Sequence, residues 1–436
     1  VPFHTWLPVA HPAAPSHISG IMSGVMIKTG IYGILRALSF LPVQPLWVCY
    51  VVLIIAVISA CIGVLYAIGQ HDIKRLLAYH SVENIGIIGI GIGVGMLGVF
   101  YENSSMAFLG FCGGLLHVFN HAVFKGLLFY GAGAVYQSTH TRQIEKLGGL
   151  IKAMPYTAWS FLLGSAAISG LPPLNGFISE FIIYLSMLKW LKAADPIMAV
   201  TLIFAIALLA FVGAMALLCF TKVFSVVFLG VRRSSSGALI KEAGRSMLVP
   251  MGILCLFMVV IGLAPQYAVR LVQRPAGELA GSLSYPDMMM WIGGLRSLSL
   301  FLAAGMGIGI CLYFLRCLLL KNRVVSFAKT WDCGYQVPNS RMQYTASSYA
   351  DAFLRLGKIF FRWEVKSKPP KGFFPKEASF ESDWHDRVEW IVERISLSIQ
   401  KILGRFQWIQ SGHTRDYLLY GVIFLVIALV WIVLGY

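Results

Sequence analysis

Long uninterrupted apolar runs, rather than in-and-out alternation, organise this chain. Stretches at 17–40, 46–69, 76–100, 105–136, 197–221, 247–265, 293–320 and 417–435 are continuous hydrophobic segments. Each comes close to or exceeds the ~20 residues that carry a helix across the hydrocarbon core of a bilayer. Continuous runs predict helices, because a membrane barrel alternates apolar and polar positions. A further stretch, 154–192, is interrupted by Leu171-Pro172-Pro173-Leu174-Asn175-Gly176. As one straight helix it would reach ~58 Å at 1.5 Å per residue, far more than the ~30 Å core.

Loop charge decides how that stretch is threaded. Lys74/Arg75, Arg142/Lys146/Lys152, Arg232/Arg233/Lys241/Arg245 and the segment after Lys321 are basic, whereas the loops at 41–45, 101–104 and 193–196 carry no Lys or Arg. Basic loops gather on the cytoplasmic side. That placement requires an even number of crossings between 153 and 231. Segment 197–221 supplies one, so 154–192 crosses once, as a helix broken near Pro172-Pro173, and the total is nine crossings. The other threading, two separate spans capped by the prolines with Glu180 at an interface, conflicts with the loop charges. Broken membrane helices are tolerated where the freed backbone groups line a cavity, and transporters place sites there.

After Lys321 the chain turns mixed and polar, with Pro369-Pro370. At 383–408 a helical period returns: Trp384, Val388, Ile391, Ile395, Ile399, Ile402 and Phe406 share one face, with Glu389, Glu393, Arg394, Lys401 and Arg405 elsewhere. Such a helix, ~39 Å long, lies on a membrane surface or along neighbouring subunits; a helix packed in a small soluble domain is the other reading. The expected fold is therefore all-α: a polytopic transmembrane helix bundle with one broken helix and a C-terminal amphipathic lateral helix.

Composition agrees. Of 436 residues, 58% are hydrophobic and only 12% charged, against about 25% charged in soluble domains. The net charge of +16 collects in a few loops, which points to lipid head groups and neighbouring subunits as acidic partners, not nucleic acid. Seven of the eight cysteines (Cys49, Cys61, Cys112, Cys219, Cys255, Cys311, Cys317) fall in apolar spans and Cys333 in a polar loop, with no Cys-x-x-Cys pair. An iron–sulfur cluster or structural zinc is not expected, nor is electron transfer through this polypeptide. The sequence opens on Val1 and a Pro- and His-rich loop with no signal peptide before it, which reads as a fragment lacking its N-terminal part.

Five ionisable residues stand where the chain should lie inside lipid: Lys28, His117, His121, Lys125 and Glu180. A charge at mid-membrane depth costs roughly 2.5–3.5 kcal/mol on insertion scales, so such groups face a wet interior or a partner. Lys28 is about 11 residues, roughly 16 Å, from either end of its span, too far for easy snorkelling. His117, His121 and Lys125 recur at four-residue steps and share one helix face, ~6 Å apart; Asn120 neighbours that face only weakly. Histidine titrates nearest neutral pH, which suits proton exchange. The bland alternative is two packed histidines bonded to backbone carbonyls. His117-x-x-x-His121 is also a metal spacing, but it reads His-Val-Phe-Asn-His, without the general base of the zinc-protease form and without carboxylate or thiolate ligands nearby. Glu180 follows the break. Glu83, after Tyr79-His80, is either an access residue together with His80 or a salt-bridge partner for the Lys74/Arg75 turn.

Several stretches resemble one family. Pro2-Phe3-His4-Thr5-Trp6-Leu7-Pro8 with Ala10-His11-Pro12-Ala13-Ala14-Pro15-Ser16, then Asp72-Ile73-Lys74-Arg75-Leu76-Leu77-Ala78-Tyr79, then His117-(x3)-His121-(x3)-Lys125, then Gly170-Leu171-Pro172-Pro173-Leu174-Asn175-Gly176-Phe177 resemble, in order, the antiporter-like subunits of respiratory complex I, Mrp sodium/proton antiporters and membrane-bound hydrogenases. The resemblance covers most of 1–265. Thr330-Trp331-Asp332-Cys333-Gly334-Tyr335 with Arg341-Met342-Gln343-Tyr344-Thr345 resembles the hydrogenase branch, in particular the large membrane subunits of formate hydrogenlyase and hydrogenase-4.

The resemblance implies roles. Lys28 matches a central membrane lysine, His117, His121 and Lys125 a connecting relay, and Glu180 the terminal ionisable residue on the broken helix. A Glu–Lys pair of the family lies before Val1, so the chain holds about half of an inverted repeat. It also implies an antiporter-like core at 1–265, a loop and added span at 266–320, a cytoplasmic segment at 321–416 and a last span at 417–436. The function implied is proton translocation in the cell inner membrane, as a subunit beside other membrane subunits and a peripheral redox arm of nickel–iron hydrogenase type, with no catalytic, cofactor or metal residue of its own. An Mrp-type cation/proton antiporter subunit, a complex I pumping subunit and a purely structural docking subunit are the other readings.

Overall fold

The computed structural model describes residues 3–41, 45–191, 194–233, 240–281, 285–324, 340, 342–356, 361–370, 372 and 378–434. The motif at 330–335, with Cys333, Arg341 and Pro2, lies outside the described residues. Two compact units divide the chain, Val1–Trp384 and His385–Tyr436.

The first unit runs α1 (Trp6–Ala13), α2 (Ser16–Ile21), a π-helical turn (Met22–Met26), α3 (Lys28–Ser39), α4 (Leu46–Ile68), α5 (Ile73–Phe100), α6 (Ser104–Thr139), α7 (Pro155–Ile168), α8 (Asn175–Trp190), α9 (Pro196–Phe228), α10 (Arg245–Leu263), α11 (Pro265–Leu279), α12 (Tyr285–Leu320) and α13 (Ala346–Leu356), then strand β1 (Phe361–Lys368) and all but the last two residues of β2 (Ser379–Asp386). The second unit holds α14 (Arg387–Gly404) and α15 (Thr414–Leu434). Among the described residues, eight helices are long and apolar enough to cross a membrane, with Ser16–Ser39 taken as one span; the shorter α7 and α8 make up the broken one.

Short polar side chains start the long helices. Asp72 accepts from the Lys74 and Arg75 amides (2.8 and 3.1 Å), Asn103 from Met106 (2.7 Å) and Asp195 from Met198 (2.9 Å), satisfying N–H groups that have no partner within the helix. The Met198 amide is also the main reason the exposed Asp195 carboxyl stays below the usual carboxylate range. Glycines set the helix spacing: a Cβ on Gly86 or Gly98 would collide with the backbone of Ala60 or Ala107, so α4, α5 and α6 pack backbone to backbone, as membrane helices do where small residues meet. Most of α5 and α6 is buried, whereas few residues of Gly294–Leu320 and none of the described residues of α15 are.

The basic loops meet at one end of the first unit. Asp72 pairs with Gln143 in an isolated bridge and with Arg142 at 3.1 Å. Gly149 donates to the Leu229 carbonyl at 2.8 Å, and Ser138 to Lys241 at 3.0 Å. At the other end Tyr101 donates to Asp195 at 3.1 Å. The chain therefore passes from the basic end to the Asp195 end through α7 and α8 together, in one crossing, as the loop charges require.

Several boundaries differ from the pattern reading. The first span is not one α-helix: five residues before Lys28 are π-helical, and hydropathy is blind to hydrogen-bond register. The span beginning at 197 continues to Phe228 and buries Lys222. Residues after 265, read as loop, form the amphipathic α11. The 383–408 helix starts only at Arg387, because Asp386 caps the Val388 amide. Trp384, assigned to its apolar face, lies on β2 instead. Phe361-Arg-Trp-Glu-Val-Lys alternates apolar and charged positions, the two-residue period of a strand, and pairs with 379–386. α14 keeps its two-faced pattern, with Arg394 stacked 3.9 Å over Trp390. Helix still dominates, about 80% of the described residues.

Candidate functional site: a buried line of ionisable groups

Helix α6 carries the candidate groups past the break between α7 and α8. Its residues His117, Asn120, His121 and Lys125 are all buried. Just past the end of α7 stands Gly170, whose φ of 65° is the left-handed stop that glycine adopts without strain. Leu171 donates back to the Ala166 carbonyl at 3.1 Å. The Pro172-Pro173 peptide is cis, and α8 restarts at Asn175. There Asn120 holds the gap: its amide donates to the Asn175 carbonyl at 2.7 Å and to Ser179 at 3.0 Å.

Lys28 begins α3 right after the π turn, where its ammonium donates to the Ser23 carbonyl and meets His121 Nδ1 on α6. His117 is held on both nitrogens, Nδ1 by Ser179 of α8 (2.9 Å) and Nε2 by Asn84 of α5 (3.0 Å). The Asn84 amide donates to the His80 carbonyl (2.7 Å), and His80 Nδ1 bonds Glu83. Ser23 and Ser81 join the π turn to α5 at 2.8 Å. Lys125 donates to the Leu77 carbonyl and lies 5.9 Å over the Phe129 ring. Glu180 is buried one residue beyond Ser179 and turns back to the break: a Cβ on Gly170 would come within 2.8 Å of its Oε2.

The structure thus brings Lys28 to His121, and His80 to Glu83, and ties His117 to α5 and α8 at once. Among the described residues, no hydrogen bond joins Lys125 or Glu180 to another titratable side chain: Lys125 donates to backbone and Glu180 turns toward the backbone at Gly170. Several buried polar atoms have no protein partner among the described residues: His121 Nε2, His80 Nε2, Glu83 Oε1 and both ring nitrogens of His11. Buried polar atoms of this kind are normally hydrogen-bonded, and water is the group small and bivalent enough to serve them.

Glu83 is not a partner of the Lys74 turn. Lys74 bonds the Ala14 carbonyl at 2.7 Å, and Glu83 stands nine residues along the helix, ~13 Å away. Sequence reasoning missed Asn84 and Ser179, polar links between helices, and gave Asn120 only as a weak neighbour of the His117 face; in the structure Asn120 pins the break. Their signal was an Asn or Ser inside an apolar run. His11 stacks on Phe129 with ring centroids 4.7 Å apart, and nothing in its Pro-rich surroundings marked it as buried. Lys222 bonds the Ile68 carbonyl, the last of α4, and the Gln70 carbonyl just beyond it, a cation at the C-terminal end of a helix.

Comparison with known proteins places this geometry in context. A profile described as NADH:quinone oxidoreductase/Mrp antiporter, transmembrane, matches residues 1–208. Hydrogenase-4 component B of Escherichia coli (strain K12) is 37% identical over 451 residues, covering 99% of this chain and 66% of that protein. Formate hydrogenlyase subunit 3 of the same organism is 41% identical over 258 residues, covering 58% of this chain and 40% of that protein. The chain therefore spans less than two thirds of the length of either relative. Among solved structures, a subunit of the membrane-bound sulfane sulfur reductase, an archaeal respiratory membrane complex, superposes with a TM-score of 0.66 at 24% identity, over 98% of this chain and 65% of that one; this likeness concerns the fold.

Proposed function

Given that this chain belongs to the NADH:quinone oxidoreductase/Mrp antiporter family of membrane subunits, we propose that it moves protons as one subunit of a redox-driven membrane complex of the hydrogenase type. The observation that carries the reading is the contact of Lys28 with His121 across two helices, inside a line of buried titratable groups. Such groups are costly in lipid and mark ion or proton routes. In this reading Lys28, His121, His117, Lys125 and Glu180 hand protons along the axis of α6. His80 and Glu83 give access from the α5 side. Asn84, Asn120 and Ser179 hold the carriers in place. Electron chemistry belongs to a peripheral arm, of nickel–iron type if the hydrogenase names of the relatives extend to this chain. The complex would sit in the cell inner membrane, with α14 lying along neighbouring subunits.

The test is Glu180→Gln in the intact complex. The amide keeps the volume but carries no exchangeable charge. Proton uptake per electron pair should fall on the order of 10²-fold, the lower end of what a positioned proton-transfer group contributes, while the complex still assembles. Unchanged uptake would overturn the role of Glu180. Exchange of sodium for protons by proteoliposomes holding the chain without redox partners would replace this reading with that of an Mrp-type antiporter.

A further inference from the structure

A cavity of about 1010 Å³ opens at the basic end of the first unit. It lies between the α1–α2 turn, the last turns of α6 and the first turn of α10, and none of the proposed carriers is among its lining residues. Its wall has two characters. The cations Lys74 and Arg142 and the imidazoles of His17 and His140 form a polar rim, and Tyr130 and Met247 line an apolar side. The rim cations are fixed: Lys74 bonds the Ala14 carbonyl at 2.7 Å, and Arg142 holds the Pro12 carbonyl and pairs with Asp72 at 3.1 Å. On both flanks the helices turn large apolar side chains outward, Ile18 and Ile21 on α2, Val249 and Ile253 on α10, as surfaces facing lipid do. Where α2 and α10 converge they meet Gly133, which has no side chain to close the gap: a Cβ there would touch Ser16 and lie 3.9 Å from Met247.

We propose that this cavity binds one anionic phospholipid from the leaflet at the basic end, with its phosphate against Lys74, His140 and Arg142 and an acyl chain along Tyr130 and Met247. Basic pockets between membrane helices recognise anionic head groups in this way. Size and wall character favour a lipid over free phosphate. At ~30 Å³ for each water, the space equals roughly thirty waters, far more than a small anion fills, and an apolar side offers such an anion nothing.

The test places a photoreactive benzoylphenylalanine at Gln137, which lines the cavity, in the full complex within nanodiscs. With phosphatidylglycerol in the disc, illumination should give an adduct of phospholipid mass. Arg142→Gln should lower its yield about fivefold, the scale of one basic residue near an anionic surface. Ser246→Trp, which fills the cavity and leaves every rim charge in place, should abolish it, so a folding defect of the Arg142 variant does not decide the matter. Equal capture from pure phosphatidylcholine discs, a polypeptide adduct, or no lipid adduct would each overturn the proposal. Loss of the adduct on adding excess inorganic phosphate would show a free-anion site instead.

Discussion

Lys28→Ala is expected to cut proton translocation per electron pair on the order of 10²-fold, with a much smaller loss of electron-transfer turnover. The reason is local. Lys28 is the cation that joins α3 to α6, and its ammonium meets His121 while donating to the Ser23 carbonyl. Removing it leaves neither ring nitrogen of His121 bonded to protein among the described residues, because Nε2 has no partner there already. The π-helical turn from Met22 to Met26 brings the lysine to this position; π turns inside helices are frequent at functional sites. Truncating a buried side chain also leaves a cavity with its own cost, so the decisive quantity is the ratio of protons to electrons, not total activity. A merely structural lysine would lower both together.

Gly176→Ala is expected to cost the folded subunit at least 1–3 kcal/mol, the usual range for overpacking. It should be read as a lower thermal midpoint and less subunit in the assembled complex. Gly176 opens α8 against the end of α7, and a Cβ there would overlap the Ala167 carbonyl oxygen. Backbone on both sides leaves no side chain to yield. Gly213→Ala on α9 is the control. Nothing lies within 4 Å of its Cβ position, so ordinary helix propensity should apply, a stabilisation of roughly 0.5–1 kcal/mol. Equal loss in both variants would show that the break is not the sensitive point.

What the sequence reveals here follows from what each level of structure depends on. Spans and the broken helix are legible because a bilayer demands length and apolarity, and because loop charge fixes the parity of crossings. The shared face of His117, His121 and Lys125 is legible from helical period alone. The pairing of Lys28 with His121, 93 residues apart in sequence, is not, since no local pattern records which helix lies beside which. Asn120 shows the same limit: its importance comes from Asn175 and Ser179 across the break. Trp384 shows a different one. It fits a helical spacing with Val388 and a strand alternation with Phe380 equally well, and the Asp386 cap decides between them.

The central claim is that Lys28 and Glu180 serve one route through the first unit. It is tested most directly by a double-variant cycle: proton uptake per electron pair measured in the intact complex for Lys28→Ala, Glu180→Gln and the two combined. Groups acting in one sequence lose their function together, and their effects do not add. The account predicts that the combined variant translocates no less than the worse single variant. A combined loss equal to the product of the two single losses, or single variants that pump normally, would contradict it.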